Sequence, residues 1–308
     1  MRATLHALTE ELRRLKTAGV TSVSVSPESM EQLRTLVRAR AAAMPAGEPE
    51  RQPQSSARKG GDRTGPSWEP KVVAPPAPQT PVATLPLPPT VKLPEGDKQM
   101  QWDARQTTVL RDPVCLENIS ANKKVMIGVG NLDATIFFCG EAPGAEEETQ
   151  GEPFVGPAGQ LLTKMIGAMG LKRSEVYIGN IMNWRPKMPT IDGREQIGNR
   201  PPTAEELSYC LPYLRAQLEV VKPDVIVALG ATAARGLLGA DSFKTLGEIR
   251  GKWHAFGDHP VMVTYHPSYI LQTQSNRSKR VIWEDLLQVM IRTGLPISDK
   301  QQGFFKAR

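Results

Sequence analysis

Side chains that can act on a bound molecule follow the apolar runs of this sequence. Glu141 comes directly after the run that begins at Ile136 and ends at Gly140, Asn180 lies near the end of a second run, and His266 lies near the end of a third. A carboxylate accepts hydrogen bonds, a carboxamide both donates and accepts them, and an imidazole exchanges a proton near neutral pH. We therefore expect an acid, an amide and an imidazole to meet in one functional site.

The elements that must position these residues alternate between strands and helices. A helical pattern follows each of the apolar runs, which lie at residues 134–140, 176–182, 224–230 and 260–267. This alternation is typical of an α/β fold and predicts a three-layer αβα sandwich around a short parallel sheet of four strands. Ligands of such sheets bind beyond the carboxyl ends of the strands. Thr203 is expected to cap a helix, and Gly170 and Gly239 are expected to end two others.

Composition divides the chain into four predicted regions. Residues 1–44 show helical spacing and predict a small N-terminal helical module that needs a partner surface for stability. The stretch Pro45–Pro94 holds 13 of the 27 prolines by direct count. Such a composition predicts a proline-rich disordered linker over residues 45–102. The folded domain is expected at residues 103–294, followed by a C-terminal tail at residues 295–308.

Charge and cysteine usage limit the class of protein. The formal charge of +6 and the pI near 9.2 favour an anionic partner such as nucleic acid. Cys115, Cys139 and Cys210 are odd in number and widely spaced, which predicts a reducing compartment. The N-terminus lacks the apolar core of a signal peptide, and no run reaches the roughly 18 apolar residues of a membrane span. We expect a cytoplasmic protein that does not bind a membrane.

Four segments together resemble the uracil-DNA glycosylases, most closely those of family 4. The matching segments are GEAPGAEEETQGEPFVGPAGQLL (140–162), VYIGNIMNWRP (176–186), the segment at residues 199–230, and TYHPSYIL (264–271). The resemblance covers roughly residues 108–292 in the order and spacing of that family. It implies a hydrolase that flips deoxyuridine out of DNA, cuts its N-glycosidic bond and leaves an abasic site.

The resemblance also implies roles for individual residues. Phe154 would stack on the uracil ring, and Asn180 would read the amide edge of the base. His266 would donate to a uracil oxygen as negative charge develops there. Glu141 would hold the attacking water, and Glu147 would lie near C5 of the base and exclude the methyl group of thymine. Either glutamate is close enough in sequence to hold the water.

Further residues are expected at the substrate and at the DNA backbone. Gly144 and Gly156 would let the backbone approach the flipped nucleotide closely. The expected substrate contacts are Gly140, Ala142 and Gly144. Phosphate contacts are expected from Arg185, Arg200, Ser268, Arg277, Lys279 and Arg280. The neighbouring Glu146 and Glu148 are expected to be solvated loop charges.

The sequence departs from family 4 at the positions that bind iron. Members of that family hold a [4Fe–4S] cluster with four cysteines, and the corresponding residues here are Asp112, Cys115, Trp184 and Cys210. Because two thiolates remain, we predict that no cluster and no other cofactor is bound. Trp184 is expected to fill the volume, and Asp112 to face solvent or a basic neighbour. The arginine of the family after the HPS segment is also absent, since Gln272 follows Leu271.

Two alternatives to an active glycosylase remain open from the sequence. One is a catalytically degenerate DNA-binding adaptor of the same fold, tethered by the N-terminal module and linker. The other is a small-molecule enzyme on the same scaffold. A branch of the superfamily that traps DNA covalently carries a basic insert ending in His, and residues 187–198 contain no His. We predict a monomer whose substrate is uracil-containing DNA. Its N-terminal module is either a helical appendage without a function of its own or a binding site for a protein partner.

Overall fold

The computed structural model describes residues 85–306, except residues 189, 192–193 and 196–197. Residues 190–191 and 194–195 are described by their backbone alone. The helical module predicted at residues 1–44 and most of the predicted linker lie outside the described residues.

The described chain alternates helices and strands. The helices are α1 (Lys98–Leu110), α2 (Pro113–Asn118), α3 (Ala145–Gln150), α4 (Pro157–Ala168), α5 (Ala204–Val221), α6 (Ala231–Leu238), α7 (Leu246–Ile249), α8 (Pro267–Thr273), α9 (Asn276–Arg292) and α10 (Asp299–Gly303). The strands are β1 (Val129–Gly130), β2 (Ile136–Gly140), β3 (Tyr177–Asn180), β4 (Thr190–Ile191), β5 (Arg194–Glu195), β6 (Val225–Leu229), β7 (Trp253–Phe256) and β8 (His259–Thr264). Across the described ranges, we find no helix long and apolar enough to cross a membrane.

The main sheet has six strands in the order β1-β3-β2-β6-β8-β7. The four central strands β3, β2, β6 and β8 are parallel, which confirms the predicted parallel core. The sequence analysis missed the antiparallel edges: β1 pairs with β3, and β7 pairs with β8 through a hairpin. Strands β4 and β5 form a separate hairpin.

Helices cover both faces of the sheet, so the predicted three-layer αβα sandwich is confirmed. Phe138 points to a core that contains Leu162 of α4 and Leu286 of α9. The preceding Phe137 points to the opposite core, which contains Leu214 of α5. Successive side chains of a strand point to opposite faces, and continuous burial of β2 and β6 fits strands covered on both sides.

The predicted helix boundaries agree with the structure. The hydroxyl of Thr203 accepts the Glu206 N–H at 3.2 Å, and the Glu206 carboxylate accepts the Thr203 N–H at 2.7 Å. This reciprocal pair is a capping box at the start of α5. Gly239 ends α6 with φ 106°, and Gly170 follows α4 with φ 88°. Both glycines adopt the positive φ that ends helices.

The folded part of the described chain extends beyond residues 103–294 in both directions. Helix α1 begins at Lys98, and Leu85 and Val91 pack against a third apolar cluster. After residue 294, α10 forms and the ring of Phe304 lies 5.2 Å from that of Trp283. Segments expected to be linker and tail therefore take part in packing.

Candidate active site

One cavity of about 380 Å³ lies beyond the carboxyl ends of β2, β3 and β8. It brings together residues that the sequence analysis selected from different segments, namely Ala142, Gly144, Glu147, Phe154, Asn180, His266 and Ser268. This position is the one where ligands bind in parallel α/β sheets. Gly140 and Glu141, which were also expected here, lie outside its lining.

Asn180 presents a buried amide to this cavity. It is the last residue of β3, and 5% of its surface is exposed. Its Oδ1 is buried and has no hydrogen-bond partner among the described residues. A Cβ atom at Gly140 would lie 2.3 Å from this oxygen, so glycine is required for the approach of the amide. An unpaired buried carboxamide costs free energy unless a ligand satisfies it.

Phe154 lines the cavity in a strained backbone conformation. Its φ is 56°, a left-handed value that costs a bulky residue on the order of 1–3 kcal/mol. The ring centroid lies 5.7 Å from that of His266 with the planes 32° apart. A Cβ at Gly159 would lie 1.8 Å from the Phe154 carbonyl oxygen, so this turn fits only against glycine. The surrounding turn holds the aromatic ring at the cavity despite this strain.

His266 enters the cavity from the start of α8, where it is the N-cap. Its Nδ1 accepts the backbone N–H of Ser268 at 3.2 Å, and the Ser268 hydroxyl lies 2.8 Å from the same nitrogen. A backbone amide can only donate, so the neutral ring carries its proton on Nε2. Burial lowers the pKa of His266 to about 4, although the charge of Glu147 opposes that shift. The imidazole is therefore a neutral N–H donor at pH 7.

Glu147 organises the two glycine-rich turns around the cavity. One of its oxygens accepts the backbone N–H groups of Val155 at 3.1 Å and Gly156 at 3.0 Å. The other oxygen accepts the N–H of Gly144 at 3.1 Å. Three hydrogen bonds to an ionised carboxylate are strong contacts. They join the turn before α3 to the turn that contains Phe154.

Glu141 occupies a separate position beside the start of α6. Burial raises the pKa of its carboxyl group, and a hydrogen bond with Thr232 lowers it. The backbone of this segment continues the sheet, since the N–H of Met182 donates to the Glu141 carbonyl at 3.0 Å. Glu141 is thus a partly desolvated carboxylate next to the site.

The prediction that Glu148 is a solvated charge is wrong. Its side chain is buried because α3 places it against Arg185 at 2.9 Å and Lys123 at 3.6 Å. Glu146 is exposed, as predicted. Helical spacing places these neighbours on different faces of α3.

Most of the cations expected at DNA have protein partners in the structure. Arg185 donates to Asn199, Glu148 and the Gly198 carbonyl. Arg200 forms a bidentate pair with Glu206 at 2.7 Å for each bond.

The three cations after α8 differ from one another. Arg280 donates to Glu284 and to carbonyls of the C-terminal segment. The Lys279 ammonium lies 5.9 Å from the Phe305 ring centroid. Arg277 is exposed. Arg277 is thus the predicted DNA-binding cation that the described structure leaves most open to solvent.

Asn199 is a cavity residue that the sequence analysis did not select. It lines the cavity, and its Oδ1 accepts from Nε of Arg185 at 2.8 Å. Among the described residues, its side-chain amide nitrogen has no hydrogen-bond acceptor. The signal in the sequence was weak, because Asn199 follows the hairpin β4–β5 rather than a central strand.

The positions that correspond to the family's iron ligands form a closed, packed cluster. Cys115, Trp184 and Cys210 are each fully buried and pack against one another in an apolar cluster with Tyr209 and Tyr213. Burial is the largest cause of the raised pKa of both thiols. Within the described ranges, no group of three or more His, Cys, Asp or Glu side chains is placed to hold a metal ion.

Asp112 connects this cluster by hydrogen bonds. Its oxygens accept the Cys115 N–H at 2.7 Å and the hydroxyls of Tyr209 and Tyr213 at 2.8 Å each. Burial raises the pKa of Asp112, but these hydrogen bonds outweigh it, so the pKa lies below its usual value. The prediction that Asp112 faces solvent or a basic neighbour is therefore wrong. With an indole and two tyrosine hydroxyls in this volume, the residues do not fit an iron–sulfur cluster.

The sequence of this chain is similar to those of proteins of one known family. A family model described as the uracil DNA glycosylase superfamily matches residues 127–287. The type-4 uracil-DNA glycosylase of Thermotoga maritima is 42% identical over 165 residues, which cover 53% of this chain and 79% of that protein. That of Archaeoglobus fulgidus is 43% identical over 150 residues, covering 47% and 70%. That of Pyrobaculum aerophilum is 36% identical over 163 residues, covering 51% and 78%.

Proposed function

The chain belongs to the uracil-DNA glycosylase superfamily, and from this premise we propose that it removes uracil from DNA. It is a hydrolase that cuts the N-glycosidic bond of deoxyuridine and leaves an abasic site for base excision repair. The observation that carries the proposal is the convergence on one cavity of an amide whose buried Oδ1 has no partner among the described residues, an aromatic ring and a neutral imidazole N–H. Each of these groups matches one requirement for binding and releasing a flipped pyrimidine.

Recognition of the base falls to Asn180 and Phe154. The free Oδ1 of Asn180 accepts the N3–H of uracil, and its amide nitrogen donates to O4. Cytosine has no N3–H and carries an amino group at C4, so it leaves the same amide mismatched. The Phe154 ring stacks on the flipped base, and Glu147 holds the turn that positions this ring. Glu147 also lines the cavity, as exclusion of the thymine methyl group requires.

Bond cleavage depends on charge that develops on both fragments. Negative charge grows on the departing uracil, and the Nε2–H of His266 donates to its oxygen without a change of protonation state. A preorganised donor of this kind stabilises the transition state more than the ground state. Positive charge grows on the sugar, where water attacks.

We assign the water to Glu141 rather than to Glu147. Glu147 already accepts three backbone N–H groups, which leaves it little capacity to orient a water. The Glu141 carboxylate has a side-chain hydrogen bond with Thr232. Burial beside the strand ends partly removes it from water and raises its pKa. A desolvated carboxylate is the better base for a bound water.

We further propose that the protein acts without an iron–sulfur cluster. Trp184 and the two tyrosines pack with Cys115 and Cys210 in one buried cluster, and Asp112 accepts hydrogen bonds from three donors there. Iron and acid-labile sulfide measured in protein purified without oxygen test this directly. Less than about 0.1 iron per chain supports the proposal, since a [4Fe–4S] cluster carries four. A stoichiometry near four refutes it.

We also propose a cellular location and an assembly state. The three cysteines are free and buried, which suits a reducing compartment such as the cytoplasm. We propose a monomer that acts on DNA, with a protein partner for residues 1–44. Light scattering during size-exclusion chromatography tests the monomer, and a mass near twice 33.8 kDa would exclude it.

The proposed activity is tested with a labelled oligonucleotide that carries one uracil, beside matched strands with thymine or cytosine. Wild type is expected to make an alkali-labile site only at uracil. Asn180→Ala is expected to lose at least about 100-fold in rate, because it removes the groups that read the base. The control is Asn118→Ala, because the side-chain amide of Asn118 donates to the Val114 carbonyl within α2. This variant is expected to cleave like wild type. An uncleaved uracil strand with wild type would overturn the proposal.

A further inference from the structure

A basic groove lies between the start of α9 and the C-terminal segment. Its volume is about 1230 Å³, and its walls come from residues 276–284 and 300–306. The C-terminal wall lies beyond residues 127–287, which the family model matches. We call this feature the C-terminal groove.

The C-terminal wall is fixed to the domain by hydrogen bonds. Nη1 of Arg280 donates to the carbonyls of Gln302 at 2.8 Å and Phe304 at 2.9 Å. The indole N–H of Trp283 donates to the Gln301 carbonyl at 2.6 Å, and the Gln301 amide reaches the Ala168 carbonyl at 2.9 Å. The segment is thus a docked part of the domain.

Charge in the C-terminal groove is strongly positive. Its walls carry four cations and one carboxylate, Glu284, which pairs with Arg280 at 2.8 Å. The other three cations, Arg277, Lys300 and Lys306, are exposed. A row of exposed cations along a groove is the electrostatic footprint of a phosphodiester backbone.

An aromatic ring stands among these cations. Phe305 is 42% exposed, and its φ is 60°. Its ring lies 6.0 Å from that of Phe304, whose other neighbour is Trp283. Exposed aromatic rings beside a positively charged groove bind unpaired bases by stacking.

One short helix connects the cavity to the C-terminal groove along the chain. Helix α8 follows its N-cap His266 and packs against α9, whose first turn carries Arg277. Seven residues of helix span about 10 Å. At about 3.4 Å per nucleotide along one strand, that distance corresponds to roughly three nucleotides from the flipped base.

We propose that the C-terminal groove binds the DNA strand that flanks the uracil, with Arg277, Lys300 and Lys306 at phosphates and Phe305 against a base. The inference rests on the proposed function, because the groove would bind the DNA strand that carries the excised uracil. It assigns a substrate-binding role to a segment that the sequence analysis treated as a tail. Arg280 is a positioning residue for this segment.

The test is a salt titration of binding to uracil-free single-stranded DNA, measured by fluorescence anisotropy. Lys300→Gln with Lys306→Gln is compared with wild type and with Lys164→Gln plus Lys244→Gln, which removes two exposed cations elsewhere. Each phosphate contact on single strands contributes about 0.7 to the slope of log K against log salt. We expect the groove variant to lose about 1.4 from this slope and the control to keep it. Equal slopes for the two variants would overturn the inference.

Stacking is tested separately in the same assay. Phe305→Ala is expected to weaken binding at least about fivefold, whereas Leu110→Ala, at another exposed apolar residue, leaves binding unchanged. Uracil substrates whose flank on one side of the lesion is either two or ten nucleotides long locate the contact, and each side is tested in turn. The groove variants should cleave more slowly than wild type only when the long flank is on the side that reaches the groove. With two-nucleotide flanks they should cleave like wild type.

These experiments separate the two proposals. Binding of uracil-free DNA that depends on the groove cations, without excision by wild type, would refute the proposed function and leave the groove standing. Normal excision with groove variants that bind and cleave like wild type on every substrate would refute the groove alone.

Discussion

The backbone N–H of Ser268 donates to Nδ1 of His266 at 3.2 Å, and this contact fixes which ring nitrogen carries the proton. Nε2–H is then the free donor, and burial keeps the ring neutral by lowering its pKa to about 4. A neutral donor suits the release of an anionic base, because no proton must leave the ring.

His266→Ala is expected to lower the single-turnover excision rate about 10²–10³-fold, because one preorganised donor is removed. His259→Ala is the matched control, since that ring bonds to the Pro223 carbonyl at the other end of β8. Rates are measured by quenched flow on uracil DNA. A His266→Ala rate within a factor of three of wild type would contradict the assigned role.

The titration of His266 predicts a pH dependence of stability. Its pKa is about 4 in the folded protein and about 6.5 in the unfolded chain, so the unfolded state binds the proton more tightly. The stabilising contribution is complete above pH 6.5 and is lost as the pH falls toward 4. Urea unfolding should show wild type losing more stability than His266→Ala between pH 7 and pH 4.5. Parallel curves would contradict the burial of a neutral imidazole.

Gly140→Ala is expected to reduce excision at least about tenfold and to destabilise the fold by about 1–3 kcal/mol. The new Cβ would lie 2.3 Å from Oδ1 of Asn180 and 2.6 Å from the Phe154 ring. Gly167→Ala, which meets nothing within 4 Å inside α4, is expected to keep full activity. Activity equal to wild type in Gly140→Ala would show that this contact does not position the site.

Glu147→Gln is expected to lower both stability and excision. The amide group replaces one acceptor oxygen by a donor that faces backbone N–H groups, at a cost of about 1–3 kcal/mol. The turn that holds Phe154 at φ 56° then loses support. Glu146→Gln, at the exposed neighbour, is the control. Urea unfolding and kcat/KM should both change for Glu147→Gln alone.

Asp112→Ala is expected to destabilise the fold by about 2–4 kcal/mol, because three donors lose a buried charged acceptor. Asp112→Asn should cost less, since the amide can still exchange hydrogen bonds with the tyrosines. Asp103→Ala, at an exposed residue of α1, is the control. Urea midpoints rank the three variants. If Asp112→Ala unfolds at the midpoint of Asp103→Ala, the hydrogen bonds of Asp112 do not stabilise the cluster.

The central strands and their polar ends were accessible from the sequence because parallel strands are continuous apolar runs. Asn180 and His266 could be placed together once the order of strands and helices was known. The edge strand β7 was missed because its residues are half-exposed and no helix follows it. The clue available in the sequence was Gly257, which follows Phe256 and takes φ 58° in the hairpin turn.

Side-chain partners were beyond the sequence. Arg185 and Arg200 were expected to contact DNA phosphates, yet in the folded chain each pairs with a carboxylate. Asp112 reads as a lost iron ligand, and its tyrosine partners come from α5, about a hundred residues away. The local spacing of apolar and polar residues predicts whether a segment is a helix or a strand. Which charged side chains pair with each other depends on tertiary packing.

The most direct measurement is the detection of free uracil. Wild-type protein is incubated with DNA that carries one uracil, and the released base and the abasic strand are quantified by mass spectrometry. The proposed hydrolysis predicts equal amounts of both products, with neither formed by Asn180→Ala at matched times. Wild-type protein that binds the DNA and leaves its uracil attached would contradict the account.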